Sequence, residues 1–480
     1  MIGLVASRAD RASEHIAEQL LDLADWSSRV DDDRPDARGG GTYHRLHRAG
    51  DAVELRAFDD LHIYLDDPTA AFSERPDYLV FLSRHSGDTG PLLTCHFTGN
   101  FGDAEYGGAS RAVAPACPGV QRALVAGFDA HAPDGYDVAI EGTHHGPTDL
   151  AVPAVFAELG SDDAQWDDPA GAAAVARAVL ELPDRDAAVH VGDPADPRHL
   201  VGFGGGHYAP RFERVVGDTA WGVGHIAVDW QLDDLGNPKA HPDVVDAAFD
   251  ASDARFALVE GDRPVLREAL ENRGYRVVSE TWVRVVGDRP LGLVAALESD
   301  LCSVDDGLRF GARTDDVEGD GGADSDADRD SDSAADRSAD SGDTADRYVV
   351  ADLPDDLLAA AQGIDPDRTR DAVEAHTVAF ETAESGTRAV GEAALADPAD
   401  RAALVDALAD VLREKYDDVE RRGGAVVARV DAFDPALARD AGVPEGPKFG
   451  RLSSGEPVDV DGETVEPADV RSVREERFPA

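Results

Sequence analysis

Residues 1–24, MIGLVASRADRASEHIAEQLLDLA, open the chain with the pattern that decides its fold. Ile2–Ala6 is an apolar run of strand length. Arg11–Ala24 follows with Ile16, Leu20 and Leu23 at helical spacing, which predicts an amphipathic helix. The same succession recurs downstream. Tyr78–Leu82, Tyr136–Ile140, His199–Phe203 and Tyr275–Ser279 read as strands, and Val152–Leu159, Ala170–Glu181 and Pro264–Asn272 read as helices. Such alternation predicts a three-layer α/β/α domain on a mixed sheet.

The clearest boundary is residues 316–346, with eleven Asp, one Glu, two Arg and no aromatic residue. A stretch so polar cannot bury enough apolar surface to offset its ordering entropy, so it reads as an acidic disordered linker. The expected division is a first domain over 1–312, a linker over 313–347 and a smaller α+β unit over 348–480. In that mostly helical extension, Leu353–Ala361, Arg368–Leu395 and Arg401–Arg421 read as helices, Val426–Val430 as a strand, and the tail Gly442–Val470 as turns.

Composition narrows the class further. Of 480 residues 42% are apolar, enough for a large core. No apolar run reaches membrane-spanning length, and the first residues lack the order of a signal peptide, so a cytoplasmic protein is expected. Cys95, Cys117 and Cys302 form no CxxC pair, which argues against a thiolate metal site. Lys plus Arg total 45 against 97 Asp plus Glu, a net charge of −52, and Lys239, Lys415 and Lys448 are the only lysines. This acid excess reads as the surface of a salt-in halophile. It reports on the solvent and leaves a local Arg patch free to meet nucleic acid.

Fourteen of the fifteen histidines lie at or before His241; His376 is the exception. Several sit in loops that follow strands, where open α/β sheets bind ligands. SRHSGDTG (83–90) delivers Arg84 and His85, and LLTCHFTGN (92–100) delivers His96. EGTHHGPT (141–148) crowds Glu141, His144 and His145 at one strand end. HLVGFGGGHYAPR (199–211) carries Gly204, Gly205 and Gly206 before His207, Tyr208 and Arg211; three glycines allow close backbone approach to a ligand. WGVGHI (221–226) adds His225. Neutral imidazoles with a carboxylate suit zinc. We expect His96, Glu141, His144, His145, His207 and His225 as metal ligands, and acid–base work from Glu141, His145 and His207. Substrate contacts are expected from Arg84, His85, Gly204, Gly205, Gly206, Tyr208 and Arg211. Plainer roles in turns remain open for each histidine. HExxH, HxHxDH and GxSxG are all absent, and no GK[ST] follows the glycines.

In these segments the chain resembles the archaeal and plant-type D-aminoacyl-tRNA deacylases, the zinc-dependent D-tyrosyl-tRNA deacylase family. The likeness rests on SRHSGDTGPLLTCHFTGNFG (83–102), EGTHHGPT (141–148), GFGGGHYAPRF (202–212) and WGVGHI (221–226), in that order, and covers about residues 1–290. The resemblance implies a phosphorylase/hydrolase-like fold and two zinc ions per subunit. It also implies hydrolysis of D-aminoacyl-tRNA by zinc-activated water to free D-amino acid and tRNA. D-aminoacyl-tRNA is then the partner, no membrane is involved, and a monomer is expected. After His225-Ile226 the family continues with Pro and a basic or aromatic pair, where this chain has Ala227-Val-Asp-Trp230; that puts the role of the continuation in doubt. Residues 442–470 look like a segment of tRNA 3′-processing nucleases, but the nuclease ligand motifs are missing. The competing readings are a zinc amidohydrolase or peptidase on a small acyl substrate, and a non-catalytic tRNA-binding module.

The charge yields a prediction. Lowering salt from 1 M to 0.1 M lengthens the screening distance from roughly 3 Å to roughly 10 Å. Carboxylate repulsion should then unfold the protein, read as loss of far-UV circular dichroism. A fold intact from low salt upwards would contradict the halophile reading.

Overall fold

All six residues of β1 (Ile2–Ser7) are buried, the signature of an interior strand covered on both faces. The helix Arg11–Leu23 follows, and the Asp10 side chain caps it by accepting from the amides of Ala12 and Ser13. Ile16 and Leu20 are fully buried, but Leu23, at the helix end, is 38% exposed and does not complete the expected apolar face. The computed structural model describes residues 1–185, 188–318 and 347–480. It divides into compact units Met1–Asp288 and Arg289–Ala480.

In the first unit, β1 joins β2 (Ser27–Asp31), β3 (Gly41–Arg48), β4 (Asp51–Phe58), β5 (Tyr78–Arg84) and β6 (Leu92–His96). A short ladder of β7 (Gly99–Asn100) and β8 (Ala112–Val113) comes next, followed by β9 (Asp137–Ile140) and β10 (Ala154–Gly160). The main sheet has the order β2-β3-β4-β1-β5-β10-β6-β9. β4, β1, β5 and β10 run parallel, β6 runs antiparallel to β10, and β2-β3-β4 is an antiparallel meander. The expected mixed sheet is therefore present. A separate parallel sheet has the order β12-β11-β13-β14, from β11 (His199–Phe203), β12 (Gly222–Ala227), β13 (Phe256–Val259) and β14 (Arg276–Val278).

Val152–Leu159 is not a helix: Ala154–Gly160 is β10, buried at all seven positions between β5 and β6. A short run with a single polar residue does not reveal its period, so strand and buried helix read alike. Side chains two apart on a strand share a face, so Phe156 and Glu158 point the same way. The Phe156 ring stacks on Phe81 at 4.7 Å and on His96 at 5.1 Å.

The second unit is less helical than expected. The helix expected over Arg368–Leu395 ends at His376, and Ala379–Ala383 and Arg388–Leu395 form a hairpin instead. Its turn holds Glu384, Ser385 and Gly386 at positive φ, which no helix accommodates. The helix expected over Arg401–Arg421 is Pro398–Leu412, and Asp418–Arg421 is a strand paired with Ala425–Phe433. The unit also starts earlier than the expected boundary, because Arg309–Phe310 pairs with Ala379–Ala383. Of the acidic linker, residues 319–346 lie outside the described residues, and Thr314–Glu318 forms a short helix.

Phe156→Ala should cost about 3–5 kcal/mol of stability, as buried Phe truncations do, measured by urea denaturation in molar salt. A loss below about 1 kcal/mol would show that this ring is not part of the core.

Candidate active site

Four loops and one strand converge on a cavity of about 430 Å³. His96 ends β6, opposite Phe156 of β10, and Glu158 lies two residues further along β10. His85 follows β5; Glu141, His144 and His145 follow β9; His207 follows β11. The Glu141 loop is clamped to the parallel sheet. The Gly142 amide donates to the His207 carbonyl at 2.8 Å and the Thr143 amide to the Ile226 carbonyl at 2.9 Å. The Gly99 amide donates to the His145 carbonyl at 2.8 Å, and His145 sits at φ +45, an uncommon conformation for a residue with a side chain.

Three imidazoles have their tautomer fixed by the backbone. Nδ1 of His96 donates to the Phe97 carbonyl at 3.0 Å, Nδ1 of His144 to the Gly142 carbonyl at 2.8 Å, and Nδ1 of His145 to the Gly146 carbonyl at 2.7 Å. A carbonyl only accepts, so each Nδ1 carries hydrogen and each Nε2, in the neutral ring, presents a lone pair. The ligand atoms of His96, His144 and His145 lie within 4.8 Å of one another. A neutral imidazole anchored through its far nitrogen is the form that binds a metal. Burial and then His96 lower His144 to about 4, and burial with its two neighbours pushes His145 well below its ordinary value.

Beside this triad lie two buried carboxylates, Glu141 and Glu158. Glu141 Oε2 is 2.7 Å from His207 Nε2, and Glu141 Oε1 is 3.2 Å from His85 Nδ1. Glu158 is 3.7 Å from His85 Nδ1 and 3.5 Å from His96 Nε2. Burial would raise both carboxyls, but the surrounding imidazoles outweigh it and hold both below the carboxylate range. Burial would likewise lower His85, yet Glu141 and Glu158 raise it to about 11. Two buried anions demand positive charge at the cluster, as protons or as a cation. His96 Nε2 and Glu141 Oε1 are buried and make no aligned hydrogen bond, only the looser approaches to Glu158 and His85, which is what a donor set missing its ion looks like. The residues present fit a divalent metal with N and O ligands.

The structure brings together His85, His96, Glu141, His144, His145 and His207, with the Tyr208 hydroxyl 3.1 Å from His85 Nε2. Arg84 lines the cavity, with its guanidinium 5.2 Å from the Trp166 ring. His225 is not part of the cluster. Its Nε2 donates to the Ala114 carbonyl at 2.8 Å, which leaves Nδ1 to accept from the Thr143 hydroxyl at 3.0 Å, so neither nitrogen is open to a metal. Arg211 is directed elsewhere: Nε donates to Glu280 at 3.3 Å and Nη1 to the Val259 carbonyl at 3.4 Å. Gly204, Gly205 and Gly206 do not line the cavity. The Gly204 amide donates to the Ala227 carbonyl, Gly204 and Gly205 hold φ +91 and +86, and a Cβ on Gly204 would clash with the Glu260 carbonyl. These glycines shape the loop that presents His207. Sequence reasoning missed Glu158, with Asp10, His62 and Tyr106, which also line the cavity. An acidic residue inside the apolar run AVFAELG was the available signal.

Burial holds His62, His199 and His225 down at about 4. An imidazole kept neutral in the fold stabilises it above the unfolded value of about 6.5, and this is lost as pH falls towards about 4. His225→Ala should therefore be less stable than wild type near neutral pH, with the gap narrowing on acidification, measured by urea denaturation in molar salt. A gap independent of pH would contradict this.

Comparisons with known proteins bear on the same residues. The D-aminoacyl-tRNA deacylase family model matches residues 72–278. A D-aminoacyl-tRNA deacylase of Halorubrum lacusprofundi is 52% identical, covering 100% of this chain and 97% of the relative. One of Natronomonas pharaonis is 50% identical over 100% of both chains. The crystal structure of a conserved protein of unknown function, AF0625, superposes with a TM-score of 0.50 at 25% identity, covering 59% of this chain and 96% of that one.

Proposed function

The chain belongs to the D-aminoacyl-tRNA deacylase family, and we propose that its first unit hydrolyses the ester between a D-amino acid and tRNA at a zinc centre held by His96, His144 and His145. The observation that carries the zinc assignment is the backbone-fixed tautomer of these three imidazoles beside an orphaned His96 Nε2. When bound there, zinc supplies a Lewis acid next to the ester carbonyl.

The chain's own residues account for binding and proton transfer. Glu141 is buried and faces the cavity, so it takes the proton of the attacking water. His207, 2.7 Å away and about one-third exposed, relays that proton to the leaving ribose hydroxyl. His85 holds its proton between Glu141 and Glu158 and fixes both carboxylates, while its Nε2 meets Tyr208. Asp10 steadies the rim by accepting from the Arg84 amide at 3.0 Å. His144 also lies within reach of Glu141 and His207. Its one open nitrogen serves a single ion, so a second zinc, as the family resemblance implied, would take Glu141 and His207 without it. One zinc per chain is expected, with Glu141 and His207 as a proton pair; two per chain would make them ligands.

Activity on charged tRNA is consistent with a cytoplasmic protein. No helix among the described residues is long and apolar enough to cross a membrane. Deleting residues 319–346 should leave deacylation within a few-fold.

Four variants and two controls test the centre. His96→Ala and His145→Ala should lose zinc and turnover on D-tyrosyl-tRNA together. Glu141→Gln and His207→Ala should keep zinc and lose about 10²–10⁴-fold in kcat, the usual worth of acid–base groups. His225→Ala and His376→Ala should keep zinc. Near-normal turnover with zinc retained in all four site variants would overturn the assignment.

A further inference from the structure

Among the described residues, the aromatic side chains that stand out into solvent are Tyr64 at 59% exposure, Tyr106 at 63% and Trp230 at 46%. Two of the three belong to the mouth of the catalytic cavity. Tyr106 lines it, and Tyr64 follows the lining residues Leu61, His62 and Ile63. Exposed rings are unfavourable in water, and all the more in molar salt, which strengthens apolar association.

The backbone that carries both rings is tied to the loops of the reacting groups. Tyr64 ends a 3₁₀ turn, His62–Tyr64, closed when the Leu65 amide donates to the His62 carbonyl at 3.0 Å. The Tyr106 carbonyl accepts from the Gly146 amide at 3.0 Å, directly after the ligand His145. Gly107 packs on the Ile63 carbonyl and beside the Tyr64 ring so closely that a Cβ would clash. Gly146 is wedged likewise against Gly107, Gly108 and the Ile63 carbonyl. Asn100 Nδ2 holds the far side of the loop by donating to the carbonyls of Gly107 at 3.0 Å and Ala109 at 3.2 Å. The loops of Tyr64 and Tyr106 and the His144–Gly146 turn thus form one rigid rim.

We propose that Tyr64 and Tyr106 form a stacking platform for the terminal nucleobase of the aminoacylated tRNA end, and so seat the ester over the His/Glu cluster. The inference rests on the deacylase reading. Its physical basis is the charge problem of this protein: a chain of net charge −52 must hold a polyanion in concentrated salt. Phosphate contacts weaken steeply as salt rises. Stacking on an aromatic face accepts any base, and being apolar it is not screened by salt as phosphate contacts are. Tyr64 and Tyr106 are therefore positioning residues, recognising the nucleoside and leaving the acyl group to the cavity beyond.

The test compares two esters of one acid in molar potassium chloride: the 2′(3′)-O-D-tyrosyl ester of adenosine and D-tyrosine methyl ester. Wild type should prefer the adenosine ester. Tyr64→Ala and Tyr106→Ala should each lower kcat/KM on the adenosine ester, mainly through KM, by up to roughly 10- to 100-fold, the worth of a base stacked on an aromatic ring. The methyl ester rate, metal content and circular dichroism should stay as in wild type, and Tyr64→Phe and Tyr106→Phe should retain the preference. Equal losses on both esters would overturn the proposal and make the rings part of the acyl pocket or the fold. An unchanged preference would also overturn it, placing the base elsewhere. A wild-type protein inactive on both esters and on D-tyrosyl-tRNA would overturn the deacylase reading itself, and this inference with it.

Discussion

Two carboxylates, Glu141 and Glu158, are buried side by side among imidazoles, and the rest of the site follows from that burial. An unpaired carboxylate in a protein interior costs several kcal/mol. Here the compensation comes from His85 between the two acids and His207 beside Glu141. The backbone carbonyls of Gly142, Gly146 and Phe97 then decide which nitrogen of each remaining ring faces inward. The centre is therefore preorganised: a cation adds to a donor set whose orientation the fold has already fixed.

The fold supplies this arrangement by joining two sheets. β5, β6, β9 and β10 of the mixed sheet carry His85, His96, the Glu141 loop and Glu158, whereas His207 arrives from the parallel sheet. Backbone hydrogen bonds from Gly142 to His207 and from Thr143 to Ile226 bind the two sheets at that point. His225 serves the same junction, holding Ala114 and Thr143 with its two ring nitrogens. Its position in a glycine-flanked motif reflects close packing, since a Cβ on Gly224 would clash with Ser252.

How far the sequence was legible can be judged residue by residue. Histidines at strand ends and in the loops that follow point to His96, His144, His145 and His207, because both the position and the residue type are local features. Glu158 is hidden because Val152–Leu159 reads as a helix, and a buried run with one polar residue does not mark its period. His225 and Arg211 sit in equally suggestive motifs, but their roles depend on partners distant in sequence, Ala114 and Glu280. The acid excess was legible at once, and it agrees with relatives from Halorubrum lacusprofundi and Natronomonas pharaonis. In the second unit, hairpin strands of Ala, Glu and Val passed for helix because helix formers fill them.

The central claim is that His96, His144 and His145 converge on one zinc ion. Crystals grown in molar salt with zinc present, measured on both sides of the zinc absorption edge, test it directly. The account predicts an anomalous peak within about 2.0–2.1 Å of the three Nε2 atoms. A zinc peak elsewhere, with the three imidazoles turned away from one another, would contradict it.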